Sequence, residues 1–159
     1  PIAIRYPRGY SEQEKVSFDF KKITFGKGVQ LKEGNIIAIL SLGTMAKTIS
    51  SVLCEIDQSE AFAHFDLCFV KPLDEKLLAK VFKNFKAVIV FEEGIKKGGV
   101  GSAILEFAAQ NQYHIPVIQE GIEDKFIPHG KRIDLLREFG LDKKSIKNKL
   151  KLLLNKFKG

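Results

Sequence analysis

The sequence predicts an α/β protein built as a three-layer α/β/α sandwich around a mostly parallel sheet. Two observations carry this. Short continuous apolar runs of strand length recur along the chain, the mark of strands buried on both faces. Between them lie segments of ten or so residues whose apolar positions repeat at helical spacing, and strands alternating with helices of this length imply βαβ units. Composition agrees, since 45% apolar and 28% charged residues in 159 suit one soluble domain and exclude disordered, collagen-like and coiled-coil classes.

Taken in order, residues 1–4 form a short apolar run that ends at Arg5-Tyr6-Pro7-Arg8-Gly9, where Pro7 disfavours helix at Tyr6 and Gly9 permits a turn. Residues 10–16 are polar and read as a linker. Residues 23–31, interrupted by Gly26 and Gly28, read as a first strand, and residues 35–42 as a buried one. Gly43-Thr44 opens a helix carrying Ala46, Ile49, Val52, Leu53 and Ile56. The next strand is expected at 65–70. Asp74 is placed to cap a helix bearing Leu77, Leu78, Val81 and Phe82. A strand at 87–91, a helix at 100–110 and a strand at 116–119 follow. Residues 122–130 read as a loop before two helices: Ile133, Leu135, Leu136 and Phe139 mark the first, closed by Gly140. Ile146, Leu150, Leu153, Leu154 and Phe157 mark the second, an amphipathic helix laid on the core.

Net charge is +7, but its distribution removes most of its meaning. Up to Gly130 there are 16 basic and 16 acidic residues; from Lys131 onward there are 10 basic and 3 acidic. The excess therefore belongs to the terminal helices, whose lysines lack the interleaved aromatics of a nucleic-acid surface. Neither nucleic acid nor membrane is expected as a partner. The longest uninterrupted apolar runs, such as residues 36–40, are far below the ~20 residues that span a bilayer. Cys54 and Cys68 stand apart without CxxC spacing and read as reduced structural thiols of a cytoplasmic protein. The sole methionine is Met45 and the chain opens Pro-Ile-Ala-Ile-Arg, which reads as a piece of a longer polypeptide.

Candidate chemistry is sparse. Glu92 and Glu93 stand where a buried strand runs out into Gly94, at the edge where open α/β sheets bind ligands. Adjacent residues of a strand point to opposite faces, so the two cannot act as one carboxylate pair, and ordering or interface contacts are favoured over catalysis. Gly98-Gly99-Val100-Gly101-Ser102 opens a helix and its N–H groups could cradle an anion, although it matches neither the P-loop nor the dinucleotide fingerprint; a packing role for the glycines is preferred. His64, His114 and His129 are scattered, so a metal site is not expected. His129 reads as an interface residue. Arg5 and Arg8 each offer a donor fork suited to phosphate or carboxylate, with two surface arginines near a linker as the plainer reading.

The runs Ile4-Arg5-Tyr6-Pro7-Arg8-Gly9, Leu42-Gly43-Thr44, Phe69-Val70-Lys71-Pro72-Leu73-Asp74, Glu92-Glu93-Gly94, Gly98 to Ser102, Phe126-Ile127-Pro128-His129-Gly130 and Gly140-Leu141-Asp142 occur together and in order. In this the chain resembles the C-terminal region of the 1-deoxy-D-xylulose-5-phosphate synthase family, within the thiamine-diphosphate-dependent transketolase superfamily. Gly94 stands where that family more often has Asn. The C-terminal domain of the beta subunit of 2-oxoacid dehydrogenases is similar at fewer of these runs, and a stand-alone anion-binding regulatory module is the alternative of another class.

The resemblance implies a five-stranded, mostly parallel sheet with one antiparallel strand. It implies that residues 1–16 end a pyrimidine-binding domain and its linker, and that residues 17–159 form a transketolase-type C-terminal domain. The full enzyme would decarboxylate pyruvate on thiamine diphosphate with Mg²⁺ and transfer the two-carbon unit to glyceraldehyde 3-phosphate. Its product feeds isoprenoid, thiamine and pyridoxal synthesis. Cofactor, metal and catalytic residues would lie outside this chain, leaving none to map here. The partners implied are the preceding domains and a second subunit of a homodimer. One site carries over: an arginine of the Arg-Tyr-Pro-Arg-Gly run near the substrate phosphate, with Arg5 aligned first and Arg8 second.

Overall fold

The computed structural model describes residues 1–6 and 23–158. Among the described residues five strands and five α-helices follow in the order β1 (Val29–Lys32), β2 (Ile37–Ser41), α1 (Met45–Leu53), β3 (Phe62–Asp66), α2 (Glu75–Asn84), β4 (Ala87–Ile95), α3 (Val100–Gln110), β5 (Val117–Ile122), α4 (Arg132–Glu138) and α5 (Lys143–Phe157). The sheet order is β1-β3-β2-β4-β5. β1 pairs antiparallel to β3, while β3, β2, β4 and β5 run parallel. The expected mostly parallel sheet with one antiparallel strand is thus the observed one.

The middle strands read as unbroken apolar runs because both faces are covered. All five residues of β2 are buried. On one face Ile37, Ile39, Ile89 and Phe91 pack with α1 and α5. On the other, Ala38, Leu40, Val88 and Val90 pack with α2 and α3. This is the three-layer sandwich. Asp74 caps α2 as expected, accepting from Leu77 N at 3.2 Å, and also holds the β1 approach through Gly28 N at 3.3 Å and Lys27 Nζ at 2.9 Å. Burial presses its carboxyl upward, but the hydrogen bonds from Lys27, Leu77 and Gly28 outweigh it and keep the group below the usual carboxylate range. Gly140 ends α4 with φ +69°, and Leu141 N closes the turn on Leu136 O at 2.8 Å.

Strand limits differ from the sequence reading at four places. β1 is the four residues Val29–Lys32 rather than 23–31, and β5 reaches Ile122 rather than ending at 119. β3 lies at Phe62–Asp66, three residues earlier than expected. The polar His64 breaks the apolar run there, yet it is fully buried because hydroxyls of Ser41 and Ser50 meet its ring. β4 continues through Glu92, Glu93 and Gly94 to Ile95, with an interruption of its pairing to β5 between Phe91 and Ile95. Cys54 and Cys68 are exposed free thiols; the first closes α1 and the second lies just past β3. The lysines of α5 flank its buried stripe of Ile146, Leu150 and Leu154, and Lys147, Lys149 and Lys151 face Glu55, Glu120 and Asp57. Among the described residues no helix is long and apolar enough to cross a membrane.

Candidate functional site at the carboxyl edge of the sheet

In an open parallel sheet the chain leaves neighbouring strands in opposite directions at one point, and the carboxyl ends there frame a crevice. Here that point lies between β2 and β4, since β3 lies on one side of β2 and β5 on the far side of β4. The segments that emerge are Leu42-Gly43-Thr44 from β2 and Glu92-Glu93-Gly94 from β4.

Glu92 and Glu93 part to opposite faces, as strand alternation requires. Glu92 is 5% exposed and accepts from Val100 N at 3.1 Å and Gly101 N at 3.0 Å. A carboxylate thus sits on the first turn of α3, where the unpaired N–H groups and the helix dipole favour negative charge. The glycines make room for it. A Cβ on Gly99 would fall 2.5 and 2.6 Å from the two Glu92 carboxylate oxygens, closer than atoms can pack. The helix start that reads as an anion cradle is therefore filled by the protein's own anion.

Glu93 turns to the α1 and α4 side. Arg132, the first residue of α4, grips its carboxylate with Nε at 3.1 Å from Oε2 and with Nη2 on Oε1. The same Nη2 donates to Thr44 Oγ1 at 3.0 Å, and that hydroxyl donates to Glu93 Oε1. Thr44 does begin α1, but its hydroxyl makes no cap bond to the helix; it completes this triad instead. Sequence reasoning missed Arg132 and Thr44 as partners of Glu93. The only signal was weak, a cation on the first turn of a helix, where the dipole disfavours positive charge.

Arg5 reaches the same place. Its Nη2 donates to the carbonyl oxygen of Glu93 at 2.9 Å, and it lines an open groove of about 460 Å³ with Leu42, Val70, Glu92 to Ile95 and Lys97 to Val100. A smaller hollow of about 200 Å³ lies beyond Glu93 and Arg132, walled by Ile122, Ile127, Leu135, Leu136 and Phe139. Arg8, the linker at 10–16 and the boundary at 16/17 lie outside the described residues.

The histidines stay apart. His64 is buried between Ser41 Oγ at 2.8 Å from Nε2 and Ser50 Oγ at 3.3 Å from Nδ1, and burial lowers its pKa to about 4. Among the described residues no acidic group is bonded to this ring, and the Ser41 hydroxyl donates to Phe65 O at 3.3 Å, so the pair reads as core structure rather than a nucleophile with its base. His129 is exposed on the 122–130 loop. Among the described residues no group of three or more His, Cys, Asp or Glu side chains is placed to hold a metal ion, and the one glycine-rich helix start is occupied by Glu92. The described residues do not fit a metal-bound diphosphate.

A mixed five-stranded sheet, doubly wound, with its crevice at the β2/β4 switch point and Arg5 reaching into it, defines a three-layer α/β/α domain with an open carboxyl edge. The chain belongs to the transketolase C-terminal domain family, whose model matches residues 26–146. It is 41% identical over 146 residues to a 1-deoxy-D-xylulose-5-phosphate synthase of Azobacteroides pseudotrichonymphae, covering 91% of this chain and 23% of that protein. It is 43% identical over 147 residues to the synthase of Cytophaga hutchinsonii, covering 92% and 23%. The chain spans about a quarter of the length of the curated relatives it matches. Among solved structures it is similar to a split gene transketolase, described as an inactive beta4 tetramer, with a TM-score of 0.75 and 29% identity over 85% of this chain and 44% of that one.

Proposed function

We propose that this chain is the C-terminal domain of a 1-deoxy-D-xylulose-5-phosphate synthase, in which it supports domain and subunit contacts and presents Arg5 to the phosphate of the sugar substrate. The observation that carries this reading is the position of Arg5, bonded to the Glu93 carbonyl at the carboxyl edge and lining the groove. A guanidinium held by one of its nitrogens keeps further donors for a phosphate.

On this reading the complete enzyme condenses pyruvate with glyceraldehyde 3-phosphate, giving 1-deoxy-D-xylulose 5-phosphate and CO₂, a precursor for isoprenoids and thiamine. Thiamine diphosphate with Mg²⁺, held by residues outside this chain, supplies the decarboxylation chemistry when bound. Residues of this chain bind and orient the acceptor. Ile2 and Ile4, 86% and 80% exposed, form an apolar run with no sheet of their own in the described fold, which supports assigning residues 1–16 to the end of a preceding domain and its linker. Phe126, Ile127 and Ile133 are exposed apolar residues of the 122–130 loop and α4, suited to contacts with other domains or a second subunit of a homodimer. The two free thiols suit a cytoplasmic enzyme.

Two measurements test this. In the full-length synthase, Arg5→Ala raises KM for glyceraldehyde 3-phosphate about tenfold or more, the scale of losing a charge-assisted contact, with little change for pyruvate. Equal effects on both substrates overturn the phosphate role. The isolated chain, given pyruvate, thiamine diphosphate and Mg²⁺, releases no CO₂; turnover overturns its non-catalytic part.

A further inference from the structure

We propose that Arg132 is a positioning residue for the phosphorylated substrate, fixing through Glu93 the peptide carbonyl on which Arg5 is seated. The inference rests on the reading of Arg5 as the phosphate ligand. Glu93 lies in the stretch of β4 where pairing with β5 lapses, between Phe91 matched to Glu120 and Ile95 matched to Ile122. The register shifts there, and side chains brace the backbone on both faces. Glu92 is tied on one face to Val100 and Gly101 N–H. On the other face Glu93 is tied to Arg132 by a two-nitrogen fork, and to Thr44. The Glu93 peptide is clamped from both sides, and its carbonyl takes Arg5 Nη2 at 2.9 Å.

Charge gives the clamp a second effect. Glu92 and Glu93 both line the groove with Arg5 and Lys97. Two unopposed carboxylates there would repel a phosphate and compete for Arg5. The start of α3 offsets Glu92, and Arg132 offsets Glu93. Removing Arg132 therefore loosens the seat of Arg5 and restores a negative charge beside it. Lysine in its place keeps the charge but cannot reproduce the fork.

The test uses the full-length synthase. Arg132 is 47% exposed, so Arg132→Ala is not expected to impair folding. It should raise KM for glyceraldehyde 3-phosphate about fivefold, the size of one partly exposed charged contact, with kcat and KM for pyruvate unchanged; Arg132→Lys should fall between. The Arg5→Ala/Arg132→Ala double variant should lose less than the product of the two single losses, because the part of the Arg132 effect that runs through Arg5 is already gone. Multiplying effects, or an equal rise in both KM values, overturn the proposal. Amide hydrogen exchange supplies an arm independent of substrate: Arg132→Ala should speed exchange at residues 92–95, and unchanged exchange overturns the anchoring whatever Arg5 does. If Arg5→Ala has no selective effect while exchange still rises, the phosphate reading falls and the substrate-positioning role with it, leaving only the anchor.

Discussion

The carboxylate of Glu92 accepts a hydrogen bond from the backbone N–H of Gly101 at 3.0 Å, from within a buried setting, so strand β4 caps helix α3 with a side chain from outside the helix. Losing it leaves the buried first-turn N–H groups of Val100 and Gly101 without their acceptor. Glu92→Ala should destabilise the purified chain by about 2 kcal/mol, the combined scale of a lost cap and stranded N–H groups. Urea unfolding measures this. Glu92→Gln, which keeps one of the two acceptor oxygens, should cost less, and equal loss would mean that a single acceptor holds nothing.

Gly98 and Gly99 adjoin in sequence but should respond differently to alanine. At Gly98, φ is +71° and nothing lies within 4 Å of an added Cβ, so Gly98→Ala should cost about 1 kcal/mol of left-handed strain. At Gly99 the added carbon meets the Glu92 carboxylate and the Ile95 carbonyl. Gly99→Ala should cost clearly more, about 2–3 kcal/mol, as the buried carboxylate is displaced. A smaller effect at Gly99 than at Gly98 would refute the close fit.

His64 makes stability depend on pH. Its pKa is about 4 when folded and 6.5 when free, so between these values the unfolded chain binds a proton that the folded chain refuses. Stability is complete above about pH 6.5 and falls as pH drops through 4. Full passage costs about 3 kcal/mol at 1.36 kcal/mol per pH unit. Asp74 and Asp142 have depressed folded values, so their contributions are lost at still lower pH, below about 3.8. Urea midpoints between pH 7 and 4.5 should therefore fall for the parent and much less for His64→Gln, once each is referred to its own stability at pH 7.

Asp74 joins three segments through one carboxylate. Asp74→Ala removes its bonds to Leu77 N, Gly28 N and Lys27 and should cost about 2 kcal/mol. Asp74→Asn keeps the oxygen that accepts from Leu77 N but loses the charge facing Lys27 and the acceptor of Gly28 N, costing about 1 kcal/mol. Thermal unfolding should rank the parent above Asn, and Asn above Ala.

Most of the fold was readable because burial on both faces writes β2 and the first part of β4 as apolar runs, and because Asp74 and Gly140 end helices by local chemistry. β3 was misplaced for the opposite reason: His64 looks like a surface residue until Ser41 and Ser50, from other elements, are seen to satisfy it. The candidate site was half readable. Arg5 came from the motif resemblance, and the divergence of Glu92 and Glu93 from strand geometry alone.

Sequence by itself determined the alternation of elements, the two-sided core and the family, since these rest on periodicity and on runs of adjacent residues. Only the tertiary structure decided that Glu92 fills the helix start that resembled an anion cradle, and that Arg132 and Thr44 close on Glu93 beneath Arg5. Those contacts join residues from β4, α1, α3, α4 and the first six residues. Their partners are chosen by where the sheet brings its carboxyl ends together, which no local spacing encodes.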